Sequence, residues 1–296
     1  MTDTPATRTS RLRRRLGLVA RHLLGEYRLC TLQHRLGWLS RNAWYDRLTK
    51  LIIQAHLPPD AVCIDVGAFQ GEITAQLLEA APLGRVIAVE PLPDLAAALR
   101  RRFPQGQVKI LEVALSDQEG GSDFNHVVTN PAYSGLRRRQ YDRPDEQDRS
   151  IHVRTVRLDD LLAEHLIDRL DLIKIDVEGG EYGVLLGGLE TLRRFRPLVL
   201  FEHGRGASDC YGVGPDQIWQ SLSKDCAMAI YRLPDWLQSR PAMTREAFVA
   251  NFHGGPDYFF VATPEENHPY QGKGRPAWPT NRKHPAMNSS AGAAGR

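Results

Sequence analysis

Short apolar segments alternate with helical segments through the middle of the chain, and this alternation limits the fold more than any other feature. Each apolar run has the length of a strand and is followed by a stretch with helical spacing of its apolar residues. Strands joined by helical crossovers form a doubly wound α/β fold, in which a mostly parallel sheet has helices on both faces. The predicted strands are Val62–Val66, Arg85–Glu90, Val108–Val113, Ile151–Val156, Leu172–Asp176, Leu198–Glu202, Ala227–Tyr231 and Tyr258–Ala262.

The composition changes on both sides of this region and divides the chain into four parts. Residues 1–10 are polar and are predicted to be disordered, and residues 11–57 are predicted to form a basic helical cap. The α/β domain spans 58–263, and 264–296 is predicted to be a disordered tail because Pro, Gly, Asn and Ser dominate it. Inside the domain, the polar stretch 116–150 is predicted to be a loop or an irregular hairpin.

Basic charge is concentrated at the amino-terminal end. Residues 1–50 contain ten Arg and one Lys against three acidic residues, a net charge of +8, whereas the whole chain carries +3. Apolar residues recur there at helical spacing from Leu12 to Tyr27. We favour a helix packed on the main domain, since most amphipathic helices face their own core. The alternative is a helix on an anionic membrane surface. The acidic remainder argues against a nucleic-acid coat, and no specific nucleic-acid contact is expected.

The protein is expected to be cytoplasmic, because no targeting signal is recognised and the cysteines show no paired motif. No apolar run approaches the roughly 18 residues of a membrane-spanning helix, and the first residues lack the apolar stretch of a secretory signal. An organelle transit peptide stays open, as does peripheral membrane contact through the basic helix. No C-x-x-C pair occurs among the four cysteines, which are Cys30, Cys63, Cys210 and Cys226.

Glycines and an acid follow the first predicted strand. Ligands of doubly wound sheets bind beyond the carboxyl ends of the strands, and here Gly67 and Gly71 permit a tight turn and close approach of a ligand. Their G-x-x-x-G spacing differs from the G-x-G-x-x-G of dinucleotide enzymes, which disfavours a nicotinamide dehydrogenase. Asp65 suits an ammonium group better than a pyrophosphate. A ligand with an amino acid end and a nucleoside end therefore fits best.

Two further segments are suited to the nucleoside end. Glu90, about 20 residues beyond the glycines, is placed to accept hydrogen bonds from two ribose hydroxyls, although a helix cap is the alternative. Ala114 and Leu115 offer walls for an adenine ring, with Ser116 or Asp117 near its exocyclic amine. For Asp117 a simple turn role is equally open.

Charged residues follow two later strands. Lys174, Asp176 and Glu178 alternate along an otherwise apolar segment, where burial is costly unless the charges are paired or used. Lys174 is expected to pair with these acids. Glu202 and His203 follow the next strand. A Mg²⁺ site is the alternative use of the acids, but we predict no metal, because carboxylates on adjacent strand ends need not converge.

These segments resemble the FkbM-type methyltransferases in order and spacing over about residues 60–232. One departure is Phe69, where Asn is usual in the family. The resemblance implies the class I S-adenosylmethionine-dependent methyltransferase fold with a seven-stranded sheet, and methylation of hydroxyls on sugars or natural products. The matching segments are Asp65-Val-Gly-Ala-x-x-Gly, Val86-Ile-Ala-Val-Glu90-Pro, Ala114-Leu-Ser-Asp117, Lys174-Ile-Asp-Val-Glu-Gly-Gly-Glu181 and Leu200-Phe-Glu202.

The resemblance also implies roles in binding the cofactor, S-adenosyl-L-methionine. Gly67 and Gly71 would lie near its methionine part, with Asp65 beside the amino group. Glu90 would contact the ribose, and the segment Ala114–Asp117 the adenine.

For the reaction itself, the resemblance places Asp176 between cofactor and acceptor. An alcohol must lose its proton during methylation, so Asp176 is the first candidate for a general base or acceptor orienter, followed by Glu178 and His203. A small-molecule or glycan-type acceptor is expected. We predict that 120–150 forms a lid over it, where Arg137–Arg139 either holds an anionic acceptor or is solvated surface. A nitrogen or carboxyl acceptor and a non-catalytic binding module are the alternatives, and the sequence leaves the oligomeric state open.

Overall fold

The structure, a computed structural model, describes residues 23–264 apart from Gln105 and Asp142. The predictions for residues 1–22 and for 265–296 therefore lie outside the described part of the chain. Its strands are β1 (Val62–Val66), β2 (Arg85–Val89), β3 (Val108–Leu111), β4 (Ala114–Leu115), β5 (Gly120–Val127), β6 (Asp148–Val156), β7 (Leu172–Ile175), β8 (Leu198–Glu202), β9 (Ala229–Arg232) and β10 (Phe259–Thr263).

Helices separate most of these strands along the chain. Over the described residues, no helix is long and apolar enough to cross a membrane. A π-helical segment, Gln220–Asp225, follows α8 directly. The α-helices are α1 (residues 23–35), α2 (Arg41–His56), α3 (Glu72–Ala80), α4 (Pro93–Arg102), α5 (Leu158–Glu164), α6 (Glu181–Leu186), α7 (Leu189–Phe195), α8 (Pro215–Trp219), α9 (Leu233–Leu237) and α10 (Arg245–Gly254).

Seven strands form the main sheet in the order β3-β2-β1-β7-β8-β10-β9. The first five are parallel, and β10 runs antiparallel to both of its neighbours. The chain moves outward from β1 to β3 and then returns to place β7 on the other side of β1. This reversal between β1 and β7 is a topological switch point, where doubly wound folds open a ligand crevice. The predicted seven-stranded, mostly parallel α/β fold is confirmed.

The sheet has an apolar core on each face. All five residues of β1 are buried, and alternate side chains of a strand point to opposite faces. Ile64 and Val66 accordingly join one hydrophobic cluster, together with residues of α6 and α7. Cys63 joins the other cluster, with residues of α2 and α9. A central strand covered on both faces is what a continuous apolar run specifies.

A small second sheet is inserted between β3 and β7, in the order β4-β6-β5. Strands β5 and β6 form a long antiparallel hairpin, paired from Gly120 with Thr155 to Val127 with Asp148. The hairpin alternative for residues 116–150 was therefore correct, but no strand had been predicted at β5, because its glycines are typical of turns.

One predicted helix, Tyr182–Arg194, is two helices in the structure, α6 and α7. The break falls at Gly187 and Gly188. A Cβ at Gly187 would lie 2.2 Å from the carbonyl oxygen of Ser116, and one at Gly188 would lie 2.6 Å from the Leu158 side chain. The two glycines let the chain pass close to the end of β4 and to α5, and the helix is interrupted there.

Candidate active site

A cleft of about 220 Å³ opens at the switch point. Its walls come from the segments that follow β1, β2 and β7, from β4, and from the inserted hairpin with the loop that joins its two strands. The wall is mainly apolar, but Glu90, Lys174, Asp176 and Glu178 reach it. An apolar pocket with a few convergent polar groups is the usual form of a small-molecule site.

The turn after β1 forms one side of the cleft. Gly67 has a φ of 73° and Gly71 a φ of 87°, both in the left-handed region. A Cβ at Gly67 would lie 2.0 Å from the carbonyl oxygen of Asp176, so this glycine lets the ends of β1 and β7 approach each other. A Cβ at Gly71 would meet α4 at Leu99. Phe69 is also left-handed, at 50°, a conformation that Asn tolerates more readily.

Glu90 lines the cleft and is nearly fully buried. One carboxylate oxygen accepts the N–H of Phe69 at 2.9 Å, and the other accepts the N–H of Leu92 at 2.9 Å. The acid thus fastens the turns after β1 and β2 to each other. Burial raises its pKa to about 7, although the two backbone N–H groups act in the opposite direction. Each oxygen keeps a second lone pair for a ligand hydroxyl.

Asp65 does not line the cleft. It is completely buried, and one oxygen accepts a hydrogen bond from the Thr74 hydroxyl at 2.6 Å. The other oxygen lies 3.8 Å from Nζ of Lys174. Burial raises the pKa of Asp65, and Lys174 opposes that shift. The structure therefore gives Asp65 two protein partners and does not bring it to the place expected for an ammonium group of the ligand.

The predicted adenine segment divides into two parts. Ala114 and Leu115 are buried in β4 and line the cleft. Ser116 and Asp117 lie beyond its wall, where the Ser116 hydroxyl donates to Asp117 at 3.0 Å and Asp117 is exposed. The structure thus brings the two apolar residues to the cleft and leaves the two polar ones outside it.

Three acids converge beyond the ends of β7 and β8. Carboxylate oxygens of Asp176, Glu178 and Glu202 all lie within 4.8 Å of one another. The expectation that they need not converge was wrong. The strand ends at Ile175, and Glu178 adopts a left-handed φ of 56° that folds it back over the sheet edge. The resulting acid cluster, defined by these three residues, could hold a cation.

Two positively charged side chains of the protein pair with members of the acid cluster. Nζ of Lys174 lies 3.3 Å from Asp176, which confirms the expected pairing. Arg139, from the insert, forms an ion pair with Glu178. Burial and the charge of Asp176 raise the pKa of Glu178 to about 8, against the effect of Arg139. Burial and the neighbouring acids also raise the pKa of Glu202. The cluster therefore retains protons at neutral pH, while Lys174 keeps Asp176 paired with a positive charge.

His203 lies apart from the cleft lining. Its ring stacks on Phe252 of α10 with centroids 4.7 Å apart, and Nδ1 lies 3.0 Å from the Ser208 hydroxyl. Burial lowers the pKa of His203 to about 4, so the ring is neutral at physiological pH. The structure does not bring this side chain together with Asp176 and Glu178 at the cleft.

The inserted sheet and the loop between β5 and β6 form one side of the cleft and are held to neighbouring segments by side-chain contacts. Phe124 and Leu136 contribute apolar surface to the wall. The three arginines of the run at 137–139 have three different partners. Arg138 pairs with Asp148 at 2.6 Å, and the Arg137 guanidinium lies 5.7 Å from the Tyr211 ring centre. Arg139 alone turns inward, to Glu178 and to the face of Tyr133.

Sequence reasoning named Glu202 among the acids that could hold Mg²⁺, but it did not single out the Arg139–Glu178 pair or Glu181. Glu181 is buried, and one of its oxygens accepts the N–H groups of Val177 and Gly179. The only signal in the sequence was the density of acids between Asp176 and Glu202, because the partners come from distant segments.

Comparison with known proteins identifies the family. The methyltransferase FkbM domain matches residues 65–228, which is more than half of the chain. The chain belongs to the FkbM methyltransferase family. The matched range contains every element that lines the cleft, from the turn after β1 to the acid cluster.

Curated relatives are matched over part of their length. The 2-O-methyltransferase NoeI of Sinorhizobium fredii (strain NBRC 101917 / NGR234) is 34% identical over 150 residues, covering 47% of this chain and 61% of NoeI. The methyltransferase sdnD of Sordaria araneosa is 28% identical over 161 residues, covering 45% of this chain and 62% of sdnD. The chain thus spans about three fifths of these relatives. Among solved structures, methyltransferase FkbM from Methylobacillus flagellatus KT is 13% identical with a TM-score of 0.43, covering 81% of this chain and 58% of that one.

The family and the fold imply S-adenosylmethionine as methyl donor, and the cleft residues fit this molecule. Glu90 offers a buried carboxylate to hydroxyl groups in a wall that is otherwise apolar. Leu92, Ala114 and Leu115 offer flat apolar surface beside it. The turn at Gly67 presents backbone without a side chain.

Proposed function

We propose that this protein transfers the methyl group of S-adenosylmethionine to a hydroxyl of a sugar, glycolipid or other natural product. The observation that carries the proposal is the cleft itself, which is lined both by Glu90 and by Asp176 and Glu178 of the acid cluster. Family membership supports methyl transfer, and the relative named as a 2-O-methyltransferase supports oxygen as the acceptor atom.

Residues of one half of the cleft would hold the cofactor. Glu90 would accept hydrogen bonds from the ribose hydroxyls, Ala114 and Leu115 would pack on the adenine, and the Gly67 turn would accommodate the methionine part. The bound cofactor supplies an electrophilic methyl group on a sulfonium. The protein contributes chiefly by placing the acceptor oxygen in line with it, since positioning supplies a large part of such a barrier reduction.

Residues of the other half would receive the acceptor. Asp176 lines the cleft and is held by Lys174, so its carboxylate is the group best placed to orient an acceptor hydroxyl and accept its proton. A general base contributes typically about 10²–10⁴-fold. Neighbouring carboxylates also accept hydrogen bonds from adjacent hydroxyls of a sugar.

Calorimetric titration of S-adenosylmethionine tests the cofactor half. Glu90→Ala should weaken binding by about 1–3 kcal/mol, because hydroxyl partners in the ligand lose their acceptor. Glu79→Ala, an exposed acid on α3, is the matched control and should bind as wild type does. Folded wild-type protein that fails to bind would refute the proposal in favour of a binding module for another ligand.

Transfer of a labelled methyl group to a panel of acceptors tests the other half. Asp176→Asn should retain cofactor binding and lower kcat by about 10²–10⁴-fold, the range of a lost general base. Product analysis then identifies the methylated atom. Methylation of amines or carboxylates in place of hydroxyls would replace the O-methyltransferase assignment. It would leave the proposed cofactor-binding residues unchanged.

A further inference from the structure

An apolar surface remains exposed on the amino-terminal helix. Helix α1 and the turn after it carry five large apolar side chains with 43–77% of their surface exposed, whereas Leu83, Val128 and Leu166 are isolated exposures elsewhere. Single exposed leucines are ordinary, but several on one helix and the turn after it are a candidate interaction surface. We name these five residues the outer face: Leu24, Leu29, Leu32, Leu36 and Trp38.

The opposite side of α1 is firmly packed, so the outer face is not the result of a loose helix. Cys30 is buried, and Tyr27 packs against the same core cluster. The Tyr27 hydroxyl accepts a hydrogen bond from Gln238 at 2.5 Å. The His34 ring stacks on Trp44 of α2 with centroids 4.7 Å apart. These contacts fix which side of α1 points outward.

The outer face combines a stripe of leucines with neighbouring arginines and a tryptophan. Leu29, Leu32 and Leu36 are three and four residues apart, so they form one stripe along the helix. Exposed arginines, Arg28 and Arg35, lie beside it. Trp38 is 77% exposed just beyond the helix, and Trp is favoured at the boundary between lipid headgroups and acyl chains.

The charges around the outer face indicate which kind of partner surface it would bind. Glu26 is the single acid between residues 23 and 45, against Arg28, Arg35 and Arg41. The preceding residues 1–22 add six arginines against one aspartate in the sequence. Leucines flanked by arginines bind membranes by burying apolar area and by attraction to anionic lipids.

We propose that the outer face binds an anionic membrane surface, with the leucines and Trp38 inserted at the headgroup boundary and the arginines among the lipid phosphates. In this arrangement the inner side of α1 packs on the domain and its outer side faces lipid. The protein is thereby held at a membrane peripherally, independently of the chemistry in the cleft.

Flotation of the full chain with vesicles tests the proposal. Wild type should float with vesicles of phosphatidylcholine and phosphatidylglycerol, and much less with phosphatidylcholine alone or in high salt. The variant Leu29→Ser/Leu32→Ser/Leu36→Ser should lose about tenfold or more of this binding. Leu83→Ser/Leu166→Ser, which removes two exposed leucines elsewhere, should bind as wild type does.

Folding and self-association controls separate the alternatives. The triple variant should keep the wild-type melting curve and cofactor binding, because the side chains it removes are exposed. A fluorescence change on vesicle addition that is lost in Trp38→Phe would place that residue in the lipid. Absence of wild-type binding, or unchanged binding of the triple variant, would overturn the proposal. So would a dimer in light scattering that the triple variant dissociates, with no vesicle binding by either protein.

Discussion

The amino group of Lys174 lies 3.3 Å from the carboxylate of Asp176 and is almost completely buried. The same group donates a hydrogen bond to the carbonyl oxygen of Gly67 at 3.0 Å and lies 3.8 Å from Asp65. Burial alone would lower the pKa of Lys174, but Asp176 and Asp65 more than offset it and raise the pKa. One cation therefore joins the turn after β1 to the acid after β7, across the switch point.

Replacing Lys174 should destabilise the whole domain. Lys174→Met leaves two acids without their cation, and removal of one partner of a buried ion pair costs about 3–5 kcal/mol. Lys50→Met is the matched control, because Lys50 and Glu79 form an exposed pair worth about 0–1 kcal/mol. Urea unfolding measures both values. Equal losses in the two variants would show that the buried position of Lys174 has no special importance.

Two glycines with the same backbone conformation should respond differently to alanine. Gly67 and Gly212 have φ values of 73° and 69°, so each substitution carries about 1–2 kcal/mol of backbone strain. A Cβ at Gly212 has open space, whereas one at Gly67 would meet the Asp176 carbonyl oxygen at 2.0 Å. Gly67→Ala should therefore be the less stable variant in urea unfolding and should lose cofactor affinity. Comparable stability and affinity in both variants would argue against close packing of β1 and β7.

Stability should fall as the pH rises towards 8. Burial raises the pKa of both Glu90 and Glu181 from 4.5 to about 7. The folded protein thus holds protons that the unfolded chain has released, and their stabilising contribution, present below the unfolded pKa, is lost as the pH passes 7. Each unit of pKa shift corresponds to about 1.4 kcal/mol.

Glu181→Gln provides the check on this pH dependence. Its amide oxygen is able to accept the same N–H groups of Val177 and Gly179, but it does not titrate. Urea midpoints measured between about pH 5 and pH 8 should decline less steeply for the variant than for wild type. Parallel curves would mean that Glu181 does not contribute to the slope.

Arg139 should act as a positioning residue for the acid cluster. Arg139→Gln removes the charge that lowers the pKa of Glu178, so that pKa rises further and the acidic limb of the pH–rate profile moves to higher pH. Loss of a charge-assisted hydrogen bond of about 1.5–3 kcal/mol corresponds to roughly tenfold to a hundredfold in kcat/KM. Arg138→Gln, whose pair with Asp148 is exposed, should stay within about twofold of wild type. An unshifted profile in Arg139→Gln would restrict its role to structure.

Methyl transfer should be insensitive to chelators. Lys174 and Arg139 already supply positive charge to Asp176 and Glu178, and a divalent ion would have to displace both. Activity after treatment with EDTA and gel filtration should equal that of untreated enzyme. Loss of activity that added Mg²⁺ restores would assign the acid cluster to a metal.

The main sheet could be predicted from the sequence because the signals that specify its strands are local. The apolar runs at β1 and β8 end where charged or glycine residues begin, and both strands were predicted with the observed bounds. The side chains that follow parallel strands were expected to share one edge, and Glu90, Asp176 and Glu178 do line one cleft.

The remaining features depend on contacts between distant segments. The acid cluster forms because Glu178 turns back at a left-handed residue and Glu202 enters from the next strand. Arg139 reaches Glu178 across 39 positions of sequence. His203 was a candidate because histidine titrates near neutral pH and this one follows a strand of the sheet. In the structure, its ring packs against α10 instead. The periodicity of apolar residues within one segment does not predict such long-range contacts.

The inserted sheet has a consequence for how this protein could acquire new acceptors. Its strands pair with one another, and the main sheet completes its own pairing without them. Side chains of the inserted sheet and its connecting loop can therefore change while the strands that carry Gly67 and Glu90 stay as they are. Under the proposed function, Ala114 and Leu115 of β4 would stay with the donor, and Phe124 packs in one cluster with Ala114. An exchange of residues 120–150 between relatives would therefore be a route to altered acceptor specificity only where that packing is kept.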